Sequence, residues 1–404
     1  MTTRLLVVAV GSVVGVAGVC GAAFGQSAAD ELRLDAAGRT SALADAGAGW
    51  DKGFYITDGG ANKLSVYGFF QTRYNMNFRD EDSAGSQGDF THGFQMRRTR
   101  VGAKGTIWDK NLSFNVIGEF TRNDGTFGLL DAVGMYKWDN GWAVRWGQYK
   151  TNLMREENVA DTNLIAVDRS IVNNFFTQAR SQGVGLTYTQ EQFRAFADFS
   201  DGLGTLNTDF TSGTEADWAF TARGEFRWGD GDWKRFDEAA SWRGSKYGGM
   251  VGLAAHYQDG GETGGTADTA IAQVTADVSL EGDGWNAFAA GVWRNTDMSG
   301  GSSTDDFGII VQGGYLVTEQ IEPFLRYDGV FADDANGDDF HTLTGGVNYY
   351  ISPNSTAVRL SGDVQYFFDN EGASAIVSPA TGSNLLADTE DGQFAVRVQM
   401  QVMF

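Results

Sequence analysis

The chain has 404 residues with only 3 Pro but 55 Gly, 13% aromatic residues and a formal net charge of -22. Such acidity excludes nucleic-acid binding through the net field, and outside the N-terminal segment no run reaches the roughly 18 to 20 apolar residues of a membrane-spanning helix. If the chain crosses a membrane it must do so as a closed barrel, because in lipid only a helix or an edge-free sheet satisfies every backbone group.

Residues 1–25 read as a secretory signal peptide. Arg4 supplies the positive start, Leu5 to Val19 is apolar, and Ala23-Phe24-Gly25 places small residues before a cleavage point at Gln26. Removing Arg4 takes the net charge from -22 to -23. Cys20 is the one cysteine, so the mature chain has no thiol for disulfides, zinc or nucleophilic chemistry. A lipid-anchored reading of Cys20 is the weaker one, since Val19 stands where a small residue is wanted. Residues 26–63 are expected to form a periplasmic N-terminal arm. Its helical pattern, Glu31 to Leu43, is too short to fold alone.

From Leu64 onward the period is two. Leu64, Val66, Phe70, Tyr74, Met76 and Phe78 oppose Gln71, Arg73, Asn75 and Asn77, while at the end Phe394, Val396, Val398, Met400, Val402 and Phe404 oppose Gln393, Arg397, Gln399 and Gln401. Alternation this sustained predicts strands with lipid on one side and water on the other. Segments near 64–78, 94–107, 112–120, 129–138, 142–149, 183–189, 193–200, 218–228, 247–258, 270–281, 285–294, 307–317, 321–331, 340–351, 356–368 and 393–404 give sixteen strands. The fold class expected is therefore all-β, a transmembrane antiparallel β-barrel over 64–404, with fourteen or eighteen strands as the neighbouring counts.

Tight connections such as 108–111, 139–141 and 352–354 alternate with long polar ones such as 79–93, 201–217 and 369–392, the short-turn, long-loop asymmetry of outer-membrane barrels. Among the turns, 229–246 is the exception. Trp138, Trp142, Trp146, Trp218, Trp228, Trp285 and Trp293 gather at segment ends as interfacial girdles. A soluble β-sandwich gives less reason for such regularity.

The parity opposite to lipid names the lumen. Its cations are Arg73, Arg98, Arg100, Lys104, Lys137, Arg145, Arg194, Arg223, Arg227, Arg326, Arg359 and Arg397, and its anions Glu119, Asp131, Asp198, Glu225, Asp277, Glu281, Glu322, Asp328 and Asp363. Arg98, Arg100 and Lys104 share this face, while simple alternation sends Arg97 outward with Val101, Ala103 and Ile107. These arginines either guide anions along the wall or pair with lumen carboxylates and stiffen it. The connection from Thr151 to Gln182 is far longer than a hairpin needs. Folded inward it narrows the lumen with Arg155, Glu156, Glu157, Asp161, Asp168, Arg169 and Arg180, beside Lys150 at its root; left outside it is a plain exposed loop.

QTRY (71–74), RRTRVGAKG (97–105), WGQYK (146–150) and DRS (168–170) come in an order that resembles the phosphate-selective porin O and P family. The resemblance covers most of 54–404 and is motif-specific mainly over 64–189. It implies a sixteen-stranded, usually trimeric anion channel, with Arg98 and Arg100 on the anion route and Lys150 at the constriction. The chain departs from the family in having eight lysines in all and Asn152 where proline is common.

His92, His256 and His341 are too scattered for a metal site or a catalytic triad, and the Asp333–Asp339 loop lacks the Gly and distal Glu of an EF-hand. No cofactor, metal or enzymatic activity is expected. The expectation is an outer-membrane porin, with outer-membrane lipid and small anions such as phosphate as partners. A homotrimer is implied, and the alternative is a non-channel structural or adhesive barrel.

Overall fold

Alternating side chains put a polar and an apolar face on every strand, and closing the sheet on itself leaves no edge to satisfy. The computed structural model realises this arrangement. It describes residues 47–404 apart from 52, 81–87, 261–268, 299, 300, 302 and 381, so the expected signal peptide and most of the N-terminal arm lie outside the described residues.

Two short strands, β1 (Gly47–Trp50) and β2 (Phe54–Thr57), precede the barrel. Its first half comprises β3 (Lys63–Phe78), β4 (Phe90–Ile107), β5 (Asp109–Phe120), β6 (Phe127–Lys137), β7 (Trp142–Tyr149), β8 (Ser181–Thr189), β9 (Phe193–Ser200) and β10 (Trp218–Gly229). The second half comprises β11 (Gly248–Gly260), β12 (Thr269–Gly282), β13 (Trp285–Met298), β14 (Ser303–Tyr315), β15 (Ile321–Phe331), β16 (Phe340–Tyr350), β17 (Val358–Phe367) and β18 (Phe394–Met403). From β3 to β18 each strand pairs antiparallel with the next, and β18 returns to β3, with Val398 opposite Tyr74 and Gln399 opposite Arg73. The barrel therefore has the sixteen strands that the period implied. Phe404 finishes the seam, its N–H donating to the Gly68 carbonyl at 2.9 Å and its carbonyl oxygen accepting from the Gly68 N–H at 2.8 Å.

Burial is inside out. Phe220, Leu253, Leu325, Val347 and Val364 face outward and are exposed, whereas the largest fully buried side chains include Arg73, Arg326, Arg359 and Arg397. Trp138, Trp142 and Trp218 are exposed at strand ends, as an interfacial ring requires.

One expectation is corrected. Gln71 lies opposite Arg98 but Thr72 lies opposite Met96, so Arg97 is the extra residue of a β-bulge. A bulge resets the two-residue period. Arg97 therefore turns into the barrel beside Arg98, and its Nε lies 2.8 Å from Asp168.

The connection 150–180 folds into the lumen and carries two short helices, α1 (Arg155–Asn158) and α2 (Ile171–Phe176). Leu153, Met154, Ile171, Val172 and Phe176 form an apolar core within the barrel against Ala254, Val292, Ile310, Val330, Phe340 and Phe367 of β11 and β13–β17. Val377 and Leu385 of the β17–β18 loop join this core. Inward-facing apolar residues on those strands thus give the loop a surface to bury against, and burial of each such side chain contributes roughly 1.5–3 kcal/mol.

Candidate constriction and conduit wall

The infolded loop is fixed by carboxylates that collect arginines from the wall. Asp168 receives Arg73 from β3 at 3.0 Å and Arg97 and Arg98 from β4 at 2.8 and 2.9 Å. Asp161 takes Arg98 at 3.1 Å and also pairs with Arg100 and with Arg169 of the loop itself. Burial disfavours both carboxylate charges, but these cations outweigh it and hold Asp161 and Asp168 well below the usual carboxylate range. Glu156 accepts from the Ser170 N–H at 2.9 Å and its hydroxyl at 2.5 Å, and Ser170 caps α2 by accepting from Asn173 N at 2.9 Å. Asp328 of β15 accepts the Ile171 N–H at 2.8 Å, tying the start of α2 to the far wall.

At the root of the loop Lys150 Nζ lies 2.5 Å from Glu157, which also pairs with Arg169 at 3.1 Å. Burial, with Arg169 alongside, lowers the Lys150 ammonium to about 8 against the pull of Glu157. Arg180 pairs with Asp131 at 2.8 Å. Arg155 is buried, and its Nε has no hydrogen-bond partner among the described residues; it sits in the fields of Glu225 and Asp277.

The wall cations divide in two. Arg145 pairs with Asp198 at 2.7 Å, Arg223 with Glu225 and Asp277 at 2.7 and 2.8 Å, Arg326 with Asp328 at 3.2 Å and Arg397 with Asp363 at 2.7 Å, while Arg194 reaches Glu225. Arg73, Arg98 and Arg100 are engaged by the loop carboxylates, and Arg100 by Glu119 at 3.0 Å as well. Four have no carboxylate partner among the described residues. Arg359 is buried and donates to the Leu164 carbonyl at 2.7 Å, Arg227 donates to the Gly231 carbonyl at 2.5 Å, and Lys104 and Lys137 are exposed. The Lys104 ammonium stands 4.7 Å over the Tyr67 ring.

Exposure shows where space remains. Lumen-facing Thr342, Asn348, Gln365 and Gln399 of β16–β18 are buried, but Ser113, Asn115, Asp131 and Arg145 of β5–β7 are partly exposed. The free part of the lumen therefore lies against β4–β7. Alternation had named the wall cations but not their partners, and it had missed the inward turn of Arg97 and the filling role of the 369–392 loop. That loop supplies the Gly382, Ser383 and Asn384 carbonyls to Arg73, Arg397 and Asn77. Among the described residues no cluster has the composition to hold a metal ion.

A family model described as phosphate-selective porin O and P matches residues 70–368. Solved structures with the same architecture include an anion-selective porin from Comamonas acidovorans, 15% identical, covering 85% of this chain and 100% of that one with a TM-score of 0.61. The outer membrane channel DcaP of Acinetobacter baumannii is 14% identical over 84% of this chain and 97% of its own, TM-score 0.56. Vibrio cholerae OmpT in its trimer form is 14% identical over 84% and 99%, TM-score 0.55. No curated protein matches the chain.

Proposed function

Because the chain belongs to the phosphate-selective porin O and P family and is an outer-membrane porin, we propose that it is a passive channel preferring small hydrophilic anions, phosphate among them, and working as a homotrimer. The observation that carries the anion preference is the exposure of Lys104 and Lys137 on the free wall without carboxylate partners among the described residues. Their fields act on a passing ion, whereas Arg73, Arg97, Arg98 and Arg100 are already compensated by carboxylates of the infolded loop. Binding to two uncompensated ammonium groups is favourable but weak, which is what conduction needs. The likeness to an anion-selective porin from Comamonas acidovorans and to a trimer form of Vibrio cholerae OmpT supports selectivity and assembly. Passive diffusion requires no catalytic step of the chain.

Reversal potentials in a salt gradient test this reading. The wild type is expected to prefer anions, and Lys104→Gln with Lys137→Gln to move the potential toward the cation side. An unchanged potential in the double variant sinks the assignment of these two lysines. A second reading, a barrel blocked for structural or adhesive use, draws on how much of the lumen the two infolded loops fill. Protein that inserts into planar bilayers but never conducts would favour it.

A further inference from the structure

The β10–β11 connection, residues 230–247, stands on the side of the short turns and yet does not turn back at once. It begins with a 3-10 turn, Trp233–Asp237, capped by Asp232, which accepts from Lys234 N at 3.1 Å. Trp233 Nε1 donates to the Gln190 carbonyl in the β8–β9 turn at 2.8 Å, and Arg194 covers the Trp233 ring at 4.5 Å. The far end is anchored across the mouth. Ser241 Oγ donates to the Gly282 carbonyl at 2.6 Å, Arg243 reaches the Leu316 carbonyl, and Trp242 meets Tyr350 of β16 edge to face at 4.8 Å between centroids. Phe236, Ala240 and Ser241 are buried. The segment is thus a bar that runs from the β8–β9 turn to β16.

Midway it meets the infolded loop, where Ala239 packs against Ile165 and Ala166 and the hydrogen bonds centre on one residue. Asn163 accepts the Ala239 N–H on its carbonyl at 2.9 Å, donates from Nδ2 to the Asp237 carbonyl at 3.1 Å, and accepts from Thr356 Oγ1 at 3.0 Å. Val159 and Leu164 of the loop, Glu238 and Ala239 of the bar and Glu281 and Phe288 of the wall line a cavity of about 30 Å³ between the two elements. That is room for about two water molecules, since one needs about 10–15 Å³ by the same measure.

We infer that residues 230–247 form a second constriction, inserted from the periplasmic side, and that Asn163 is the positioning residue that joins it to the first. Together the two elements close the barrel beside β12–β16 and confine solutes to the β4–β7 wall, so that size selection depends on both. The inference rests on the channel reading above. The bar touches the solute's route by exclusion, and its residues need not bind what passes.

The test compares full-length wild type with two variants in planar bilayers and in liposome swelling with neutral sugars of increasing size. One variant deletes 232–245, leaving Asp230, Gly231, Lys246 and Tyr247 as a turn of ordinary length. The other is Asn163→Ala, which keeps the chain intact should the deletion fail to fold. Heat-modifiable migration in detergent gels establishes that each barrel is formed. The deletion is expected to raise unitary conductance and admit larger sugars, and Asn163→Ala to do so by less, with open-state current noise. A folded deletion variant with wild-type conductance and sugar cut-off overturns the inference and leaves the porin reading intact, as does a silent Asn163→Ala if the deletion does not fold. If no form conducts, both fail. If only the deletion conducts, the bar is a full plug, which supports the inference and corrects the channel reading.

Discussion

Asp168 holds three guanidinium groups from two adjacent strands, and Asp161 takes one of these three together with two others. Removing one partner from such a buried group leaves charge unpaired, at a cost of about 3–5 kcal/mol. Asp168→Ala is therefore expected to lower the temperature at which the gel band shifts to its unfolded position, and Arg98→Ala to do the same. An Arg98→Ala protein with wild-type thermal stability but lost anion preference would instead restore the guiding role for this arginine. Lys150 gives a pH-dependent expectation. Its ammonium, lowered to about 8 by burial and Arg169, is charged below that pH and neutral above it. Anion preference should weaken as pH rises through 8, and Lys150→Gln should flatten that step; a profile unchanged by the substitution contradicts the assignment. Which cation meets which anion was not legible in the sequence. Arg100 and Asp161 are 61 positions apart and Arg73 and Asp168 are 95 apart, and alternation gives the face a residue takes without its neighbour across the lumen.

At the scale of elements the reverse holds, because the media on the two sides of a strand are written into it one residue at a time. All sixteen strands were legible, and Trp142–Tyr149, Phe193–Ser200 and Ile321–Phe331 end where the period does. What alternation misses is a residue outside the period. Arg97 was placed outward because a bulge leaves no mark in a polar run where Arg97 and Arg98 are alike. The long 150–180 connection was legible as a loop able to enter the lumen, by its length. The apolar surface that receives it was hidden, since alternation turns Val292, Ile310 and Val330 inward without showing which residues of the loop they meet. The seam yields a sharper test. A Cβ on Gly68 would lie 2.7 Å from the Arg100 carbonyl and 2.8 Å from the Phe404 ring, whereas one on Gly291 meets nothing within 4 Å. Gly68→Val is expected to lower the band-shift temperature and Gly291→Ala to leave it unchanged. Equal stability of the two would remove the role given to the Phe404 closure.

Over the whole molecule the net charge of -22 says little about the ion that passes, since charge acts where it is close and unscreened. Acid gathers in the loops, as in Asp333, Asp334, Asp338 and Asp339, while the free wall presents Lys104 and Lys137. With a screening length of about 10 Å at 0.1 M salt and about 3 Å at 1 M, the preference is expected to shrink as salt rises, which a concentration series of reversal potentials checks. Channel and location follow from the family, and selectivity from two lysines and a confined route. The most direct measurement is the zero-current potential of a single purified channel across a tenfold gradient of potassium chloride at neutral pH. An open channel whose potential has the sign of anion preference is the predicted result; a potential of cation sign, or a barrel that inserts and carries no current, contradicts the account.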